Sequence, residues 1–243
     1  MNRLCMKFAA WSVIAVGLMV LSSVLPFASE ENMQGESSKP LSEDPYYLTT
    51  CLVTDQALGS MGKPVVYGHQ GREIRFCCAG CVEQFKKEPQ KFIDKLDKAM
   101  IEDQLPHYPL ETCLITKQKL TAMGKPVDLI YKNRLVRFCC SNCVAQFKKD
   151  PELYMSQLNE ATIKKQQDDY PIANCIASGE KLGGSMGKPI DVVIASRLVR
   201  LCCPSCKKML LENPSEYLSK LEPANGKHEM KQDNNADHSG HQH

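Results

Sequence analysis

Charge of one sign is what this chain most plainly lacks. Thirty Lys and Arg stand against 28 Asp and Glu, a formal net charge of +2 over 243 residues. Two of those bases, Arg3 and Lys7, lie in an N-terminal leader without acids, so the remainder is close to neutral. A nucleic-acid binder needs a basic face to meet phosphates, and the balance argues against that class. Catalytic signatures are missing as well. There is no Ser/His/Asp set, no phosphate loop and no paired-carboxylate motif. The expectation is a binding protein and not an enzyme.

Long apolar runs are equally scarce. The one that stands out, the uncharged stretch from Phe8 to Ala28, follows the basic residues Arg3 and Lys7. A basic n-region followed by an apolar h-region is the pattern of an export signal. The run is also long enough to span a bilayer as an uncleaved anchor, and Pro26-Phe27-Ala28 makes a poor cleavage site. Residues 1–28 are therefore read as a signal peptide or a membrane anchor. Cys5 precedes the apolar run, which excludes a lipoprotein signal. Either reading places the rest outside the cytoplasm, periplasmic, extracellular or anchored by the leader. Membrane contact is expected only if the leader stays attached. Residues 29–44 are polar and read as a spacer.

What the chain does have is cysteine, and the pattern repeats. Cys51, Cys113 and Cys175 are spaced by 62 residues each time. Downstream of each comes a cluster: Cys77-Cys78-x-x-Cys81, Cys139-Cys140-x-x-Cys143 and Cys202-Cys203-x-x-Cys206. Twelve of the 13 cysteines thus fall into three sets of four. A repeat overrides any domain count taken from length. The units span residues 45–100, 107–160 and 169–222. At roughly 55 residues, each is near the size below which a domain needs a staple.

Within unit one, Gly59-Ser60-Met61-Gly62-Lys63-Pro64 is a loop. Val65-Val66-Tyr67 and Arg72-Glu73-Ile74-Arg75-Phe76, around Gly68 to Gly71, predict a hairpin. A helix is expected from about Cys78 to Lys87 and a second from Pro89 to about Met100, with Phe85, Phe92 and Leu96 as its apolar stripe. Units two and three repeat this, joined by charged linkers at about 101–107 and 159–169. The third copy is the most diverged, with Leu201 and Leu210 in place of phenylalanine. The fold class is α+β: three tandem small modules, each a knuckle, a β-hairpin and two helices.

Cys-x25-Cys-x3-Cys (x26 in the third copy), with aromatic-Cys-Cys-x-x-Cys-x3-Phe and a following Pro, resembles the TRASH/YHS class of metal-binding modules. The resemblance covers all three units. It implies a small treble-clef or zinc-finger-like fold and a role in heavy-metal sensing, trafficking or resistance, with a metal transporter or other envelope protein as partner. It also implies the ligands: Cys51, Cys77 and Cys81; Cys113, Cys139 and Cys143; Cys175, Cys202 and Cys206. One departure matters. Where related knuckles carry a second cysteine, this chain has Thr54, Thr116 and Ser178. Either Cys78, Cys140 and Cys203 supply a fourth thiolate, or each site has three. Three thiolates suit copper(I) better than zinc, which prefers four ligands in a structural site.

Two other readings compete. Four cysteines per unit in an exported protein can be disulfides; the chain would then be a disulfide- or zinc-stapled scaffold for a partner protein. Against this, three of the four crowd into five residues. The Cys-x-x-Cys pairs also suit thiol–disulfide exchange, yet no thioredoxin-sized βαβ unit surrounds them. Met61, Met123 and Met186 are candidate thioether ligands but are expected to be packing residues. Arg72, Arg75, Arg134, Arg137, Arg197 and Arg200 either offset thiolate charge or lie on a solvated strand face. His69, at a hairpin tip in one copy only, is not expected to be a ligand. Four of six histidines lie in the tail, residues 223–243, where a His-containing disordered tract can collect metal.

Overall fold

A computed structural model describes residues 43–221. The leader, nearly all of the spacer and the tail lie outside the described residues. The secondary structure is mixed, as α+β requires. Three two-stranded antiparallel sheets, one per unit, alternate with pairs of helices.

Unit one sets the plan. A tight loop after Cys51 closes through two backbone bonds, Cys51 N–H to Gln56 O at 2.8 Å and Asp55 N–H to Cys51 O at 2.9 Å. An isolated bridge between Thr50 and Ala57 finishes it. Strands β1 (Val65–His69) and β2 (Arg72–Phe76) pair from Val65↔Phe76 to His69↔Arg72. Only Gln70 and Gly71 form the turn, both at positive φ, as a two-residue hairpin of the twist-matched type demands. The turn is thus shorter than the glycines suggest. His69 is the last residue of β1, with its ring edge-on to Phe85 at 5.1 Å.

Helix α1 (Ala79–Lys87) follows at once, with Cys78 as its extended N-cap. Helix α2 (Pro89–Gln104) starts on a proline whose missing N–H costs nothing there. Phe85, Phe92 and Leu96 are buried, together with Ile74 and Phe76 of β2. Phe76 and Phe85 are fully covered, with ring centroids 5.4 Å apart. Burying each such ring contributes about 2 to 3 kcal/mol.

Unit two repeats this as β3 (Val127–Tyr131), β4 (Arg134–Phe138), α3 (Ser141–Phe147) and α4 (Pro151–Gln166). Unit three does so as β5 (Ile190–Ile194), β6 (Arg197–Leu201), α5 (Pro204–Glu212) and α6 (Pro214–Leu221). Leu201 and Leu210 are as fully buried as the phenylalanines they replace. The turns Lys132-Asn133 and Ala195-Ser196 keep positive φ without glycine, a strained choice that surrounding contacts must hold.

Those contacts come from neighbouring units. Helix α2 does not stop near Met100. It runs on to Gln104, through residues that read as linker, and α4 likewise runs to Gln166. Gln104, fully buried, donates to the Asn133 carbonyl and the Tyr47 hydroxyl. Its own oxygen accepts from the Leu135 amide and the Ser196 hydroxyl. Gln166 repeats the grip one unit on, donating to the Ser196 carbonyl and accepting from the Leu198 amide.

The first arginine of each hairpin corrects the sequence reading. Arg72, Arg134 and Arg197 neither shield thiolates nor face solvent; all three are buried. Arg72 donates to Asn133 of unit two and pairs with Asp97 of its own helix. Arg134 donates to the Val193 carbonyl of unit three and pairs with Asp44. Arg197 returns to unit one, paired with Asp103. The end of the presumed spacer is therefore packed: Asp44 is buried, and burial raises its pKa to about 6 despite the opposing pull of Arg134. Arg75, Arg137 and Arg200 pair with Glu73, Asp128 and Asp191. Among the described residues no helix is long and apolar enough to cross a membrane.

Candidate metal centre

Each site assembles where the knuckle loop meets the strand–helix junction. The knuckle delivers Cys51. The residue after β2 delivers Cys77, and the first turn of α1 delivers Cys81. Their sulfurs all lie within 4.8 Å of one another, and all three residues are buried. The same holds for Cys113, Cys139 and Cys143, and for Cys175, Cys202 and Cys206. The closest separations are 3.5 Å for Cys77–Cys81, 3.7 Å for Cys139–Cys143 and 3.7 Å for Cys202–Cys206. An ion bound by thiolates at about 2.3 Å holds sulfurs roughly 3.8 to 4.0 Å apart. The three triads can therefore hold a metal ion with small side-chain adjustments.

The fourth cysteine of each set stands apart. Cys78, Cys140 and Cys203 are N-caps, half-buried and outside the triads. Each approaches one triad member, Cys81, Cys143 or Cys206, at 3.6, 3.6 and 3.5 Å. Among the described residues all twelve cysteines are free thiols.

A hydroxyl completes each cluster. Thr54 Oγ1 lies 3.6 Å from Cys77 Sγ, Thr116 Oγ1 lies 3.4 Å from Cys139 Sγ, and Ser178 Oγ lies 3.3 Å from Cys202 Sγ. The sequence marks these positions only as missing cysteines. Their identity as hydroxyl residues in all three copies was the overlooked signal.

Protonation differs within a triad. Burial alone would push the Cys51 thiol up, but the Cys77, Thr54 and Val53 backbones and the Thr54 hydroxyl outweigh it and lower it to about 7. Cys113 is likewise lowered to about 7 and Cys175 to about 6. At Cys81 and Cys143, burial and neighbouring sulfurs push the thiol well above its ordinary range, and Cys206 is raised to about 12. Each triad thus holds one thiol that ionises near neutral pH and one that surrenders its proton only when a cation replaces it.

The loop methionines correct a second expectation. Met61, Met123 and Met186 are not packed: they are 64%, 69% and 56% exposed. His69, edge-on to Phe85, is outside the cluster. The tail histidines lie outside the described residues. Comparison with protein-family models, with curated proteins and with solved structures finds no match to this chain.

Proposed function

We propose that this chain captures soft metal ions, copper(I) first and zinc second, one in each of three trithiolate sites, for buffering, trafficking or sensing. The observation that carries the proposal is the triad itself, formed three times from the same backbone positions with the same burial. Three buried thiolates are the donor set that soft ions select. The resemblance of the cysteine pattern to TRASH/YHS modules supports the same reading. So does the hydroxyl where a fourth thiolate would stand, since a closed zinc site prefers four protein ligands. The export-like pattern of residues 1–28 supports a site of action outside the cytoplasm, and the resemblance supports a metal transporter or other envelope protein as the recipient.

The test is to purify the exported form anaerobically, measure metal by mass spectrometry and count free thiols. About three soft ions per chain are expected, with thiols that become reactive only after chelation. Absence of both metal and titratable thiols would overturn the proposal in favour of a disulfide-stapled scaffold.

A further inference from the structure

The trithiolate reading leaves one thiol per unit without a task. Cys78, Cys140 and Cys203 are half-buried, while their neighbours Cys81, Cys143 and Cys206 are only 4%, 3% and 4% exposed. The two sulfurs of each pair are 3.6, 3.6 and 3.5 Å apart. The backbone presents the outer thiol identically each time: the N-cap residue is extended, with φ of −158°, −160° and −157°. None of these side chains caps its helix. They pack at the edge of the core, partly buried, and helix capping does not account for them.

We propose that Cys78–Cys81, Cys140–Cys143 and Cys203–Cys206 are reversible disulfide couples that eject the metal when oxidised. This rests on the trithiolate reading. The oxidant is a low-molecular-weight disulfide of the glutathione class. The outer thiolate attacks one sulfur of that disulfide; the S–S bond breaks and one small thiolate leaves. The inner sulfur then attacks the outer one, the protein S–S bond forms and the second small thiolate departs. Two protein thiols are oxidised and one small disulfide is reduced to two thiols. The proton of the outer thiol goes to one leaving thiolate, and solvent protonates the other. The inner sulfur gives up its bond to the metal, whose charge does not change. A site reduced from three thiolates to two loses its ion.

Access fixes the roles. A small disulfide reaches Cys78, Cys140 or Cys203 first, because the inner partner is buried and shielded. Bringing the sulfurs from about 3.6 Å to a bond of about 2.05 Å is a side-chain movement at the helix start.

The experiment uses the full chain loaded with zinc, which has no redox chemistry of its own. Oxidised glutathione is added, released zinc is followed with a chromogenic chelator, and disulfides are mapped by peptide mass spectrometry. Expected are one zinc lost per disulfide, disulfides mapping to 78–81, 140–143 and 203–206, and rebinding after reduction. The triple variant Cys78→Ser, Cys140→Ser and Cys203→Ser, loaded to the same stoichiometry, should release zinc at least about tenfold more slowly. Equal release from the variant, or disulfides joining Cys51 to Cys77 and their counterparts, would overturn the couple while leaving zinc binding intact. A wild-type chain that takes up neither zinc nor copper(I) would instead sink the trithiolate reading, and metal ejection with it.

Discussion

The Thr54 hydroxyl lies 3.6 Å from the Cys77 sulfur, and the same contact recurs at Thr116–Cys139 and Ser178–Cys202. With the cysteine as thiolate, the hydroxyl is the donor, and it steadies one ligand without entering the triad. Removing such an outer partner typically costs 10- to 100-fold in metal affinity, about 1.4 to 2.7 kcal/mol. Thr54→Val should therefore weaken the first site roughly tenfold in chelator competition and leave the stoichiometry unchanged. Thr54→Cys should do the opposite for zinc, by supplying the fourth thiolate that a closed site wants. If Thr54→Cys leaves the zinc-to-copper preference unaltered, the hydroxyl does not set the choice of ion.

Loss of one triad should cost one ion, whichever triad it is. The third unit is the most diverged in sequence, but its sulfurs are spaced and buried like the others. Cys51→Ser, Cys113→Ser and Cys175→Ser should each lower bound metal by about one ion per chain, read by mass spectrometry of the anaerobic protein. A smaller loss for Cys175→Ser would show that the third site does not fill.

The joint between units should be tested at Gln104. Its side chain bonds to Tyr47, Asn133, Leu135 and Ser196, so all three units meet at one amide. Gln104→Ala strands buried donors and acceptors, each costing about 1 to 3 kcal/mol. A loss of roughly 3 kcal/mol is expected in denaturant unfolding of the metal-free chain. The side-chain bonds of Gln104 go to Tyr47, Asn133, Leu135 and Ser196 and not to triad cysteines, so stoichiometry should hold near three. A loss under about 1 kcal/mol would mean that the Gln104 amide is not what holds the units together.

Stability of the metal-free chain should rise with pH across the neutral range. Cys51 and Cys113 are lowered to about 7 and Cys175 to about 6, from an ordinary value of 9.0. Between those limits the folded chain holds thiolates where the unfolded chain holds thiols. The unfolded state then binds more protons, and folding gains as pH climbs toward 9. The gain is lost as pH falls through 7 to 6. Above pH 9 the raised thiols Cys81, Cys143 and Cys206 reverse the slope, because the unfolded chain ionises first. Thermal melts from pH 6 to 9, paired with thiolate absorbance, check the sign. A flat profile below pH 9 would contradict it.

Much of the candidate site was legible because Cys51, Cys113 and Cys175 keep a 62-residue spacing and the clusters after them one of 62 and then 63. The hairpins were legible too, from short β-prone runs ending at the clusters. What escaped was the packing between units. Charged residues such as Glu102 and Asp103 made the end of α2 look like a solvated linker, although Gln104 ends α2 and Gln166, 62 residues on, ends α4. Arg72, Arg134 and Arg197 were misread because a buried arginine and a surface arginine look alike until a partner from another unit is seen. The methionine loops failed for the converse reason: Met commonly fills gaps, but Met61, Met123 and Met186 point into solvent.

The arginine contacts have a bearing on how this chain can evolve. Arg72 reaches unit two, Arg134 reaches unit three, and Arg197 comes back to unit one. An open stack of repeats has free ends and tolerates duplication or deletion of a copy. A cycle has no such ends. A fourth copy inserted here would find Asp103 already claimed, and a chain pared to two would take from a buried guanidinium its acceptor in the next unit, Asn133, the Val193 carbonyl or Asp103. The number of copies is therefore tied to closure of the circuit and not only to the number of cysteine triads.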